Sequence, residues 1–247
     1  MTTATQGRQR LNLFARLAAR REARALVVLG LLGATFAALV YLIRTPELRY
    51  VDVAITQTLQ RPRTSWLDHL AAGLTYAGGG VAETAVFVLV AVLLLVKRRP
   101  RAAGLLVLAL LAGHPANLLI KSFFGRARPA ASDLVEVIVV SSGTSFPSGH
   151  AQSGALFFGF VALLAWVLIR SGKLRLGVVL ILVTFIFLSG ASRVYVGGHW
   201  ASDVLGGWTV GLFLLFLLAE AYRLIGKGEL TPRQTAATVP ATGKLPS

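Results

Sequence analysis

The chain has 247 residues, 55% of them hydrophobic and only 14% charged, with a mean hydropathy of +0.69. That leaves too little polar surface to cover an aqueous globule of this size, and it excludes a disordered or fibrous chain. Lys and Arg number 25 against 10 Asp and Glu, a net charge of +15, yet they lie between long apolar runs, which fits the orientation of membrane spans rather than nucleic-acid binding.

A basic arm, residues 1–24, comes first, with no cleavage motif after the apolar run that follows it. A spanning helix rises 1.5 Å per residue and needs roughly 20 apolar residues. Ala25 to Ile43 supplies 19 uncharged residues and reads as span one. Residues 44–73 form a connector containing Leu48, Val51, Ile55 and Leu59 at helical spacing. This stretch reads either as a short amphipathic helix lying at the interface or as an ordinary packed connector. Span two is expected from about Leu74 to Val96, interrupted by Glu83. Ala102 to Ile120 is span three, with His114 and Pro115 inside it. Ala151 to Ile169, Leu176 to Ser192 and Val204 to about Tyr222 complete six. All these runs exceed strand length and lack two-residue alternation, so helices are expected throughout. Residues 226–247 read as a disordered tail.

Six spans put both termini on one side. That side collects 17 of the Lys and Arg and the other side 8, so the termini are expected in the cytoplasm. The loops 44–73, 121–150 and 193–203 then face outward. Cysteine is absent, which removes disulfides, thiolate nucleophiles and cysteine metal sites. The acidic residues, 4 Asp and 6 Glu, form no evident outward carboxylate cluster for Mg²⁺, and no metal or cofactor is expected.

Three polar clusters flank the outward ends of spans three to six. In the first, Lys121 and Arg128 stand seven apart, two turns if the helix continues, before Pro129. Alone, they also read as a snorkelling basic cuff. The second, Ser145 to His150, leads into span four: Ser148 suits an N-cap, and Gly149 lets backbone N–H groups approach an oxyanion. An N-cap alone needs no function, but His150 beside basic residues adds a proton donor. In the third, Arg193 precedes His199 and Asp203, which stack on one face if span six starts there. The carboxylate then holds one ring nitrogen protonated and leaves the other free as a nucleophile; a structural His–Asp pair is the plainer alternative. Two histidines, one aspartate and three cations on a common face suit attack on a phosphoryl group.

The three clusters, K-x6-RP, PSGH and SR-x5-H-x3-D, resemble the signature of the type 2 phosphatidic acid phosphatase superfamily, and all three fit without a gap. The resemblance extends to Asp52, Leu67 and Asp68 and so covers roughly residues 45–215. It departs at Ala127, where many members have proline. The resemblance implies a six-span phosphatase domain over residues 25–225 with the following roles. His199 is the nucleophile, oriented by Asp203, and His150 is the general acid and then the base. Lys121, Arg128, Arg193, Ser148 and Gly149 bind the phosphoryl oxygens, without a metal. The role of Arg126 is left open between a further phosphoryl contact and only a neighbouring surface charge, and Glu83 and His114 are intramembrane groups without an assigned role. The expected substrate is a lipid phosphate: undecaprenyl pyrophosphate, phosphatidylglycerol phosphate or phosphatidic acid. The expected setting is a bacterial inner membrane with the site facing outward. Rival readings are a phosphotransferase using the same phosphohistidine and a non-catalytic anion-binding membrane protein. The soluble vanadate-binding haloperoxidases share this type of site, but the six spans argue against that reading.

Overall fold

The computed structural model describes the backbone of residues 3–225 and, within it, the side chains of Arg20 and residues 22–225. The expected tail, residues 226–247, and the side chains of most of the basic arm lie outside the described residues. The described residues contain eight α-helices and no strand, so the chain is an all-α membrane protein. The helices are α1 (Thr3–Leu42), α2 (Pro46–Gln60), α3 (Ser65–Ala77), α4 (Gly80–Val96), α5 (Pro100–Phe124), α6 (Gly149–Leu168), α7 (Gly172–Tyr195) and α8 (Ala201–Ile225).

Five of these contain a segment long and apolar enough to cross a bilayer: Glu22–Leu42 within α1, and α5, α6, α7 and α8. The expected continuous second span is corrected. It is a bent pair, α3 and α4, meeting at 50°. The cause is local: Gly80 takes φ +60, a left-handed conformation that favours glycine, and Gly79 is fully extended, so the helical ladder stops. Counted as one broken span, the pair makes six crossings.

The other boundaries follow their caps. Ser148 opens α6 and Ser171 opens α7, each accepting a hydrogen bond from a first-turn N–H, and Pro46 and Pro100 occupy the first turns of α2 and α5. Gly125, at φ +57, closes α5. α6 is the central helix, packed against α5, α7 and α8, and its partners fit it closely. Gly207 and Gly211 on α8 face it: a Cβ on either would lie 2.4 Å from the Ser148 carbonyl oxygen or 2.5 Å from that of Gln152. Small residues four apart let two helix backbones approach where lipid supplies no hydrophobic drive.

The connector is a helix, α2, and its polarity is the reverse of a soluble surface helix. Val51, Ile55 and Leu59 are exposed, whereas Asp52, Thr56 and Gln60 on the opposite face are buried against the protein. An outward apolar face with an inward polar one suits a helix lying at the bilayer interface.

Candidate active site

The three clusters converge at one end of the bundle. Lys121 comes from the last turn of α5, His150 from the first turn of α6, Arg193 from the last turn of α7 and Asp203 from the first turn of α8. Two sequence expectations about the local geometry are corrected. Lys121 and Arg128 do not share a helix face, because Gly125 ends α5 and Arg128 lies in the following loop. His199 likewise precedes α8 rather than sitting on it, and meets Asp203 across the turn at Trp200.

His199 is almost wholly buried. Its Nδ1 lies 3.5 Å from Asp203 Oδ2, and its Nε2 lies 3.0 Å from Arg128 Nη1. A guanidinium can only donate, so Nε2 carries the lone pair and the ring proton belongs on Nδ1, toward the carboxylate. Burial pushes the imidazole pKa down to about 4, against the opposing pull of Asp203. At neutral pH the ring is therefore uncharged, with Nε2 available as a nucleophile.

Asp203 is itself held. It accepts hydrogen bonds from the Trp200 N–H at 2.9 Å and from Arg126 Nη1 at 2.7 Å. The other Arg126 nitrogen donates to Asp52 at 2.7 Å, and Asp52 also accepts from the Ser202 N–H and hydroxyl at 2.9 and 2.5 Å. Arg126 is therefore no surface charge: it is a largely buried bridge between two carboxylates that are 1% and 0% exposed. The bridge ties interfacial α2 to the start of α8.

The cations are fixed by main-chain oxygens. Arg128 donates to the carbonyls of Ser142, Gly143, Thr144 and Gly198, and Lys121 to those of Thr144 and Ser145 at 2.6 and 3.2 Å. Burial lowers the Arg128 pKa, with Asp203 opposing, yet a guanidinium stays protonated. Arg193, 3% exposed, bonds Ser141 Oγ at 2.9 Å and keeps its Nε unpaired. Ser148 caps α6 through Oγ, and its N–H donates to the Asp203 carbonyl, so its contacts join α6 to α8. Gly149 opens α6 next to the Ser148 cap, and a helix start is a setting that suits an oxyanion. His150 faces this centre closely enough for the charges of Arg193, Arg128 and Lys121 to act on it. Among the described residues no three His, Asp or Glu side chains converge to hold a metal ion.

Beside His150 a groove of about 1370 Å³ runs between α4, α5 and α6, walled mainly by Leu, Val, Ala and Phe side chains. Glu83 and His114, unassigned from sequence, both line it. His114 is exposed there.

Sequence reasoning missed the reach of Asp52, Arg126 and Ser202, and the packing of Gly79 on His150, where a Cβ would stand 2.2 Å from Nε2. One signal was present. Asp52, Thr56 and Gln60 form a polar stripe at four-residue spacing opposite the apolar one.

The chain is similar to known membrane proteins. The model of the PAP2 superfamily matches residues 101–226, just over half of the chain. The phosphatidylglycerophosphatase B of Bacillus subtilis (strain 168) is 29% identical over 180 residues, which cover 71% of this chain and 85% of that protein. The undecaprenyl-diphosphatase BcrC of the same organism is 32% identical over 108 residues, 43% of this chain and about half (51%) of that protein's length. Among solved structures, a transmembrane PAP2-type phosphatidylglycerolphosphate phosphatase from Bacillus subtilis matches with a TM-score of 0.74 and 28% identity. It covers 80% of this chain and 96% of that one. Aquifex aeolicus LpxE shares the fold, with a TM-score of 0.54 and 24% identity over 68% of this chain and 93% of its own.

Proposed function

Because the chain belongs to the PAP2 superfamily and is a multi-pass membrane lipid phosphate phosphatase, we propose that it works through a phosphohistidine on His199. The observation that supports this most is the His199 ring itself, neutral, with Nδ1 toward Asp203 and the Nε2 lone pair turned to Arg128.

Lys121, Arg128, Arg193 and the Gly149 helix start hold the non-bridging oxygens and offset their charge. His199 Nε2 attacks phosphorus in line, forming an N–P bond as the P–O bond to the leaving group breaks. His150 gives its proton to the departing oxygen. Neutral His150 then takes a proton from water, whose oxygen attacks phosphorus; the N–P bond breaks and phosphate leaves. Asp203 holds the ring and balances the positive charge that forms on it. Ser148 supports the cap of the oxyanion-binding turn. No step requires a metal.

The substrate is an amphiphile with its phosphate or pyrophosphate in the basic pocket and its tails along the α4–α5–α6 groove. The catalytic unit is the domain 25–225, in a bacterial inner membrane with cytoplasmic termini and an outward-facing site. The excess of basic residues on the terminal side supports that orientation. A reporter fused to the C-terminus that proved extracytoplasmic would contradict it.

The test is phosphate release from a panel of lipid phosphates by purified protein in detergent. His199→Ala is expected to lose at least roughly four orders of magnitude in kcat, and His150→Ala to lose at least about two. EDTA should leave the rate unchanged, and vanadate should inhibit. Full activity in His199→Ala refutes the mechanism, and strong EDTA inhibition refutes its independence of metal.

A further inference from the structure

The groove beside His150 carries one carboxyl group whose chemistry the reaction above does not use. Glu83 lies in the first turn of α4 and lines the cavity. Its Oε2 accepts a hydrogen bond from Ser153 Oγ at 3.0 Å. Ser153 has one proton to give, and a second acceptor it meets, the His150 carbonyl, is farther away at 3.4 Å. Glu83 Oε1 is buried and has no hydrogen-bond partner among the described residues. Two polar neighbours are already engaged elsewhere: Asn117 donates to Gln152, and Gln152 donates to the Gly113 carbonyl. An unpaired carboxyl oxygen beside a groove walled largely by apolar side chains is costly, and a ligand group that pairs with it, once a small turn of the side chain brings Oε1 to the groove, recovers that cost.

Its position says which part of a ligand it meets. Glu83 stands one turn beyond Gly79, which packs on His150 Nε2, and Ser153 stands one turn beyond His150 on α6. Both therefore lie along the groove beside His150, where the reading above puts the leaving group. A hydroxyl both donates and accepts, so it satisfies Glu83 whether the carboxyl is ionised or protonated.

We infer that Glu83, with Ser153, is a specificity-determining subsite for a hydroxyl on the leaving alcohol next to the scissile phosphate. The matching substrate class is a glycerol phosphate head group that keeps a free hydroxyl on the adjacent carbon. A polyisoprenyl phosphate, with bare hydrocarbon at that point, leaves the carboxyl unpaired and is disfavoured. This rests on the reading that places His150 at the leaving group.

The experiment compares kcat/KM for phosphatidylglycerol phosphate with that for its deoxy analogue, built on a propanediol head group. The full-length wild type, Glu83→Gln and Glu83→Leu are measured in detergent. Wild type should prefer the hydroxyl substrate by roughly 10- to 100-fold. Glu83→Leu should bring the ratio close to one by slowing the hydroxyl substrate alone, and the isosteric Glu83→Gln should keep part of the preference. Equal turnover of both substrates by wild type overturns the inference, as does a variant that slows both equally. Wild type that releases phosphate from neither substrate, nor from a short-chain soluble phosphate ester, overturns the phosphatase reading instead.

Discussion

Two sides of the same bundle are built on different physics. Around His199 almost every polar group is tied to another: Asp52 to Ser202 and Arg126, Arg126 to Asp203, Asp203 to Trp200, and Arg128 to four carbonyls. Across His150, the α4–α5 wall is largely apolar, broken by a few polar groups such as Glu83 and His114, and α4 exposes Val81, Val88, Leu89 and Val92. Directional bonds in a buried setting fix atoms to within tenths of an ångström, which phosphoryl transfer needs. Dispersion against lipid is shallow and non-directional, which lets a groove accept a long, flexible tail. The reacting group is thus held by a cage, and the tail by a surface that can yield.

The largest expected effect lies in the cage. Arg126→Ala strands two buried carboxylates and should cost about 3–5 kcal/mol of stability, read as a fall in thermal unfolding temperature in detergent. A shift no larger than that of an exposed arginine variant would show that the bridge does not hold the cage. Next comes pH. The folded pKa of His199 is about 4 against an ordinary 6.5, so the unfolded chain takes up the proton first. The His199 contribution should make stability fall as pH drops from 6.5 to 4, by about 3 kcal/mol or less, and His199→Gln should make the slope shallower.

At the seam between the two sides, Gly79→Ala places a methyl group against His150 Nε2. Gly79 is extended, so the backbone accepts alanine and only the ring must move. We expect kcat to fall about 100-fold with little change in unfolding temperature. The smallest effect belongs to the groove. Leu110→Trp narrows it and should lower kcat/KM for long-chain lipid phosphates about tenfold, leaving a short-chain soluble substrate unaffected. Equal losses on both substrates would erase the distinction between cage and groove.

The same contrast explains what the sequence made legible. Spans are one-dimensional signals, and the three motifs carry the reacting groups in local strings, so both were readable. The break at Gly78–Gly79–Gly80 was readable too, from three consecutive glycines, but the apolar run from Leu74 to Val96 hid it. The cage was not readable, because its bonds join residues 74 apart for Arg126–Asp52 and 150 apart for Ser202–Asp52. No local spacing encodes those pairs. Arg126 therefore looked like surface charge until the fold brought both carboxylates to it.

The most direct test of the central claim is to trap the intermediate. Protein mixed with phosphate-labelled lipid substrate and quenched in alkali within a turnover should carry one phosphate on His199, stable to base and labile to acid. The label should be absent from His199→Ala and should build up when water attack is slowed in His150→Ala. Turnover at the full rate with no phosphate ever bound to His199 would contradict the account.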